Sequence, residues 1–577
     1  MSYKETYEMW LNSEYVDEKT KEELRGIKDE KEIEDRFYTD LEFGTGGLRG
    51  IMAAGSNRLN TYTVGKATQG LANYLKKNYS KELSVSIAYD SRNNSKEFAK
   101  TSASVLCANG IKVNLFESLR PTPVLSYTVL HLKSQAGIVV TESHNPKQYN
   151  GYKVYNEDGG QVTDKAAKEI LDCINSLKDF NDVKYMEYEE AKDKGLLKII
   201  GEDVDKTYIE KVKGLTIRKE LVKNHANDVK IIYTPIHGSG NIPVRRVLDE
   251  LGYKNVYVVK EQELPNGNFP TAPYPNPEQP SVFKLALEMA EEVNPDVIFG
   301  TDPDCDRIGV VVKDKRGDFK VLTGNQTGVL LTHYILSSLK ELNELPSNGA
   351  VVKTIVTSEL ATKIANSYGI QLIDVLTGFK YIGEKIKEFE ETGSNTFLFG
   401  FEESYGCLAG TFVRDKDAVI GATLISEMVL YYKNKGMNLY DALMDIYSQY
   451  GYNKEGLVSL ELQGKEGQEK IQKALDYLRN ASILKIGNVK ITKKLDYKLS
   501  VEKNLEDSTE KEIKLPKSNV LKFLLEDDSW FVVRPSGTEP KMKVYLAVSG
   551  KSVEDSEVKL EAFNKDVMEI INAACNS

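Results

Sequence analysis

Three carboxylates at alternate positions, Asp302, Asp304 and Asp306, follow the apolar run Val297-Ile298-Phe299-Gly300. Like charges this close need a cation or strong donors between them. A curved loop lets all three face one hard ion of the Mg2+, Mn2+ or Ca2+ kind, which prefers oxygen ligands where zinc does not. An EF-hand calcium loop does not fit: its glycine position holds Arg307, its twelfth position holds Lys313, and its flanks read as strands. An ion on three carboxylates keeps positions for a phosphate oxygen, and Arg307 suits the same oxyanion.

Four further stretches carry residue types that complement such an ion. Thr141-Glu142-Ser143-His144-Asn145-Pro146 leaves the apolar run Ala136–Val140, and a strand ending in a polar turn holds side chains at the edge where α/β sheets bind ligands. Alone, Ser143 is an ordinary cap or turn residue; beside a metal and phosphate it becomes a candidate phosphoryl carrier. Phe43-Gly44-Thr45-Gly46-Gly47-Leu48-Arg49-Gly50 can bring backbone N–H groups and the Arg49 guanidinium to an anion. Glu402 and Ser404 lie in a glycine-flanked loop and suit sugar hydroxyls, with Lys416 shortly after; Thr377 and Gly378 close another strand and join them as candidate substrate contacts. Arg534-Pro535-Ser536-Gly537-Thr538 has the composition of a phosphate clamp without a metal: Arg534, two hydroxyls and the Gly537 and Thr538 N–H groups. One metal site, one serine, a hydroxyl reader and a separate clamp fit a substrate phosphorylated at one end and reacting at the other.

The elements that must position these residues alternate between strand and helix. Strands near 85–90, 113–116 and 136–140, then 229–233, 256–259 and 296–300, then 351–356, 371–375 and 396–399 make three successive α/β units, each ending in one polar loop. The order repeats although the residues do not. The spacing predicts a smaller α+β tail with strands at 530–533 and 541–548, a Ser552/Asp555 capping box and a stripe of Leu560, Phe563, Val567 and Ile570. The expected architecture is three repeated α/β domains with mixed sheets plus a smaller C-terminal α+β domain. Domain I is placed at 1–205, with a helical N-terminal extension presenting mainly a solvated face, domain II at 206–318, domain III at 319–450 and domain IV at 451–577.

Composition narrows the function. A formal net charge of -10 argues against nucleic acid or an anionic membrane as partner. Five scattered cysteines without CxxC spacing make neither a disulfide framework nor a zinc site. The charged start lacks the apolar core of a signal peptide, and no run reaches the ~18 apolar residues of a membrane span. A cytoplasmic protein acting on small sugar phosphates is expected, as a monomer or small homo-oligomer.

With its GTGGLRG, TESHNP, TDPDCDR, GFEESYG and RPSGTEPK stretches, in that order from Phe43 onward, the chain resembles the α-D-phosphohexomutase family. The resemblance implies four domains around a central cleft. It implies a catalytic phosphoserine at Ser143, and Mg2+ on Asp302, Asp304 and Asp306 with the serine phosphate as a further ligand. Sugar contact at Glu402 and Ser404 and phosphate binding by the Arg534–Thr538 loop follow in the same way. The implied reaction interconverts glucose 1-phosphate and glucose 6-phosphate through a glucose 1,6-bisphosphate intermediate; phosphopentomutase or phosphomannomutase activity is the alternative. A phosphatase or a non-catalytic sensor would share parts of this set. Candidates for the base are Lys153, in the context Asn150-Gly151-Tyr152-Lys153, together with Lys416 and His144. A lysine base needs a lowered pKa, and His144, next to Ser143 on the chain, is not expected to face it. Glu142 departs from the small residue many relatives carry there, and Pro303 and Cys305 fill spacers that are often small.

Overall fold

A computed structural model describes residues 2–576 apart from 45, 81, 463 and 537–540. Gly537 and Thr538 of the expected phosphate clamp lie outside the described residues. The chain forms two compact units, Met1–Gly324 with Phe379–Leu439, and Asn325–Gly378 with Tyr440–Ser577.

The first forty residues form helices α1 (Tyr3–Asn12), α2 (Glu18–Arg25) and α3 (Glu30–Phe37), capped by Ser2, Asp17 and Asp29. Most of their residues face solvent, as expected, but a few large apolar ones do not. Trp10, Val16, Leu24 and Phe37 are buried in a core of their own, into which Tyr62 and Phe180 reach. Few but large apolar side chains suffice: Trp10 meets Phe37, Tyr62 and Phe180 edge-on, with ring centroids 5.7, 5.3 and 5.4 Å away.

The first sheet contains β1 (Phe43–Gly44), β2 (Gly47–Ile51), β3 (Ser84–Tyr89), β4 (Lys112–Phe116), β5 (Ala136–Val140), β6 (Tyr149–Asn156) and β7 (Leu197–Ile200) in the order β1-β2-β6-β5-β3-β4-β7. Strands β5, β3, β4 and β7 run parallel, joined by helical crossovers, while β6 returns antiparallel to β5 and β2 antiparallel to β6. Every residue of β5 is buried, as expected of an inner strand covered on both faces. That position brings the Ser143 loop out of the middle of the sheet.

The second sheet has β8 (Ile231–Thr234), β9 (Val256–Val258), β10 (Val297–Thr301), β11 (Ile308–Lys313) and β12 (Phe319–Leu322) in the order β12-β11-β10-β8-β9. Because β10 and β11 are antiparallel, with Thr301 opposite Ile308, residues 302–307 form a hairpin loop. Cys305 turns it with a φ of 54°. The loop after β8 supports it from behind, since Ser239 donates to the Pro303 carbonyl through both N and Oγ at 2.8 Å.

In the second unit, β13 (Gly349–Thr354) and β14 (Gln371–Val375) pair in parallel. In the first, β15 (Thr396–Phe401) turns into β16 (Cys407–Leu408) through the Glu402 loop. The C-terminal sheet contains β17 (Tyr452–Glu461), β18 (Lys485–Ile486), β19 (Val489–Asp496), β20 (Val501–Asn504), β21 (Glu510–Glu512), β22 (Leu521–Leu525), β23 (Trp530–Pro535) and β24 (Lys541–Gly550). Its order is β17-β24-β23-β22-β19-β20-β21, with β18 on β19. Strand β17 is a ten-residue edge strand, paired along its whole length with β24. The helices Gly464–Asn480 and Val553–Asn576 add Leu475, Leu478, Phe563 and Val567 to the core of this sheet. Of the expected box, Ser552 Oγ takes the Asp555 N–H at 3.1 Å, while Asp555 reaches back to Lys551 N and not to Ser552.

Candidate active site

Ser143 leaves β5 in a left-handed conformation, φ 49°, which a serine adopts only when its surroundings impose it. Its N–H is fixed by Thr141 Oγ1 at 2.9 Å. The loop carbonyls converge on Arg92, which follows β3 and is buried. Its guanidinium donates to Pro146 O at 3.1 Å, Tyr149 O at 3.0 Å and Ser143 O at 2.6 Å, and also to Asn145 O. Asp90 beneath it accepts from Arg92 N, Ser95 Oγ and Thr141 Oγ1. Arg92 was not singled out from the sequence; the only signal is a polar Asp-Ser-Arg step at a strand end.

Ser143 Oγ donates to Asp302 Oδ2 at 2.7 Å and lies 3.1 Å from His144 Nδ1. The second contact corrects the expectation that chain neighbours would not face each other, because the left-handed turn swings the two side chains together. Burial, and then Arg307, pushes the His144 pKa well below its ordinary value, so the ring is neutral near pH 7.

Asp302, Asp304 and Asp306 are all buried, and one oxygen of each lies within 4.8 Å of the others. Asp302 Oδ1 accepts the N–H groups of Asp306 and Arg307 at 3.1 and 3.0 Å. Asp304 Oδ2 accepts Thr122 Oγ1 at 2.9 Å and Lys153 Nζ at 3.2 Å. Lys416 Nζ lies 3.1 Å from Asp306 Oδ2 and 3.0 Å from Asp415 Oδ1, and Tyr155 and Gln161 hold the other Asp415 oxygen. Asp304 Oδ1 and Asp306 Oδ1 are buried without a hydrogen-bond donor among the described residues. Two orphaned carboxylate oxygens beside a third carboxylate are what a hard divalent cation requires, so the residues fit the ion the spacing predicts.

The charges are strongly coupled. Burial, and then Asp304, raises the Asp302 pKa well above the usual carboxylate range and pushes Asp306 up to about 6. Asp304 goes the other way: burial is outweighed by Lys153 and by hydrogen bonds from Asp302 and Thr122. The carboxylates in turn raise both lysines against the effect of burial, Lys153 through Asp304 and Lys416 through Asp306. The lowered pKa expected of a lysine base is therefore absent from both, for acidic neighbours outweigh cationic ones.

The Glu402 loop closes against the same group. Ser404 Oγ donates to Glu402 Oε1 at 2.9 Å, and Arg307 bridges to Gly406 while its Nη1 donates to Glu278 Oε1 at 2.9 Å. Gly406 is required here, since a Cβ would stand 2.2 Å from Lys416 Cδ. Arg49 on β2 pairs through Nε with the buried Glu142. The structure thus gathers Ser143, His144, Lys153, the three aspartates, Arg307, Glu402, Ser404 and Lys416 in the first unit, with Arg49 beside them. Thr377, Gly378, Arg534 and Ser536 belong to the second unit. There the Thr377 hydroxyl is buried without a partner among the described residues, Gly378 has a φ of 121°, and Ser536 N donates to Lys541 O at 2.7 Å.

Four successive family models match the chain: phosphoglucomutase/phosphomannomutase α/β/α domain I over residues 40–180, domain II over 206–317, domain III over 323–450 and the C-terminal domain over 487–563. The phosphoglucomutase of Staphylococcus saprophyticus is 35% identical over 554 residues, covering 96% of this chain and 98% of its own. The chain belongs to the phosphoglucomutase/phosphomannomutase family. A second family member, the phosphoglucomutase of Staphylococcus haemolyticus, is 37% identical over 531 residues, or 92% of this chain and 94% of its own. Among solved structures, the open form of the Paramecium phosphoprotein pp63/parafusin, a phosphoglucomutase, superimposes with a TM-score of 0.70 at 18% identity, covering 93% of this chain and 95% of its own. A phosphoglucomutase/phosphomannomutase family protein from Burkholderia thailandensis gives 0.64 at 18%, covering 92% and 97%. Both support the family fold, and the chain is an isomerase of the phosphohexomutase type. No helix among the described residues is long and apolar enough to cross a membrane.

Proposed function

We propose that the chain interconverts glucose 1-phosphate and glucose 6-phosphate through a phosphoserine at Ser143 and a glucose 1,6-bisphosphate intermediate. The observation that carries this reading is the 2.7 Å contact of Ser143 Oγ with a buried three-carboxylate cluster holding two orphaned oxygens. Asp302, Asp304 and Asp306 would hold Mg2+, which when bound neutralises charge on a transferring phosphoryl group.

The chain's own residues supply the rest. The free sugar hydroxyl attacks the phosphorus on Ser143, the P–O bond to Oγ breaks, and the net proton movement is from sugar hydroxyl to Oγ. After the bisphosphate turns over, Oγ attacks the other phosphate, the P–O bond to that sugar oxygen breaks, and the net proton movement is from Oγ to the sugar oxygen. His144 Nδ1, neutral and 3.1 Å from Oγ, takes the serine proton in that second step once the hydroxyl has turned away from Asp302 Oδ2. Lys153, Lys416 and Arg307 act as fixed cations around the transferring group. Glu402 and Ser404 read sugar hydroxyls in both orientations, Thr377 and Gly378 are further substrate contacts, and Arg534, Ser536, Gly537 and Thr538 hold the idle phosphate end.

The test is incubation with glucose 1-phosphate, Mg2+ and a trace of glucose 1,6-bisphosphate, repeated with mannose and pentose phosphates. Glucose 6-phosphate without free phosphate is the expected product. Intact-mass measurement should find one phosphoryl group that Ser143→Ala abolishes together with activity. Free phosphate as the product, or a phosphoryl group retained in Ser143→Ala, overturns the reading.

A further inference from the structure

Arg49 stands on β2 directly opposite Gly151 of β6. Its side chain is 69% exposed, yet it is paired with Glu142, whose side chain is 2% exposed. A carboxylate removed from water needs partners. Glu142 has Arg49 and the Asn145 amide, which donates to Oε1 at 2.9 Å. Gly151 makes the meeting possible: a Cβ there would lie 2.5 Å from Glu142 Oε2 and 2.4 Å from Thr141 O, so its missing side chain is the room the carboxylate fills. Gly151 and Lys153 are two apart on one strand and face the same side, and Lys153 Nζ reaches Asp304 at 3.2 Å. The Arg49–Glu142 pair therefore borders the cationic wall of the site.

The atom used for pairing matters. Glu142 comes closest to Arg49 at Nε, as an ion-pair contact, and the two terminal nitrogens of Arg49 make no hydrogen bond among the described residues. Those two nitrogens form the fork that grips phosphate bidentately. A long, exposed arginine otherwise samples many rotamers, and anchoring it at Nε removes that freedom before a ligand arrives.

We propose that Glu142 is the positioning residue for Arg49, anchoring it so that its fork is presented to a phosphate of the bound sugar phosphate. The proposal rests on the sugar-phosphate reading above. Its test is a double-mutant cycle in the Ser143→Ala protein, where glucose 1-phosphate binds without turnover and its Kd is read by calorimetry. Glu142→Ala should weaken binding about tenfold. Arg49→Ala should weaken it at least as much, and the double variant no further than Arg49→Ala alone. Glu142→Gln, which keeps the shape and an acceptor oxygen, should recover part of the loss and serves if Glu142→Ala does not fold. Additive effects, an unchanged Kd in Glu142→Ala, or no binding of glucose 1-phosphate by the Ser143→Ala parent overturns the proposal. The two readings separate: a coupled cycle without mutase turnover in the Ser143 protein leaves this proposal standing and removes the function. Turnover with an additive cycle does the reverse.

Discussion

Arg92→Ala removes the side chain that gathers the carbonyls of the Ser143 loop. The guanidinium is buried with Asp90 and donates to four loop carbonyls, those of Ser143, Asn145, Pro146 and Tyr149. Each hydrogen bond is worth about 1 kcal/mol net, and more when charged, so four lost bonds come to about 4 kcal/mol at the lower figure. Water entering the vacated space restores some of this, leaving about 3 kcal/mol against local closure of the loop. At 1.4 kcal/mol per factor of ten, amide exchange in the loop should accelerate about 100-fold. The reporters are Ser143 N on Thr141 Oγ1, Asn145 N on Glu142 O and Tyr149 N on Pro146 O. Hydrogen–deuterium exchange should show the change in peptides covering 141–150 and not in β10. Arg92→Lys, which keeps a charge but not the planar fork, should fall between. Unaltered loop exchange, or an equal rise in β10, would refute the argument that this loop is held locally.

Three further outcomes follow from the charges and packing. Mg2+ added to chelator-treated protein should stabilise it by about 2.7 kcal/mol at a hundredfold excess over Kd, with Asp304→Asn abolishing the effect; an unmoved melting curve counts against the metal site. In the second unit, Lys353 and Lys522 both contact Glu359 Oε1, at 3.2 and 2.8 Å, and despite burial these two cations hold the Glu359 pKa well below its ordinary value. A depressed carboxylate contributes stability above its unfolded pKa of about 4.3 and loses it as pH falls towards the folded one. The deficit of Glu359→Gln should thus be greatest near neutrality and shrink below about pH 4, read by the fluorescence of Trp530, which lies under Lys522; a pH-independent deficit contradicts the linkage. Trp10→Ala should cost about 3–5 kcal/mol in the stability of the N-terminal helices, measured by their proteolytic susceptibility, and wild-type resistance would show that their core is dispensable.

Much of the fold and part of the site are legible in the sequence because they depend on local pattern. The apolar run Ala136–Val140 reads as a buried strand, and it is one. Alternate aspartates on a hairpin loop meet wherever that loop is made, so the carboxylate cluster follows from spacing. Strand β17 was not legible over its length, because period-two alternation appears only at Val458, Leu460 and Leu462, while the half at 452–456 is defined by its pairing with β24. The N-terminal core was hidden for a similar reason: Trp10, Val16, Leu24 and Phe37 are too sparse to look like a buried face, and the aromatic rings that cover Trp10 arrive from as far away as Phe180.

Charge and proton chemistry were the least legible. Lys153, Lys416 and His144 are equally plausible bases by residue type, and their difference comes only from what surrounds them. Carboxylates from another domain hold the lysines protonated, while burial and Arg307 keep His144 neutral. By itself the sequence determined the strand-ending loops, the three aspartates and the serine, since these are short-range patterns. Tertiary structure decided that Ser143 meets Asp302, 159 positions away, that Arg92 gathers the loop and that Glu142 anchors Arg49. Distance and burial set electrostatic energies, and neither is a property of neighbouring letters.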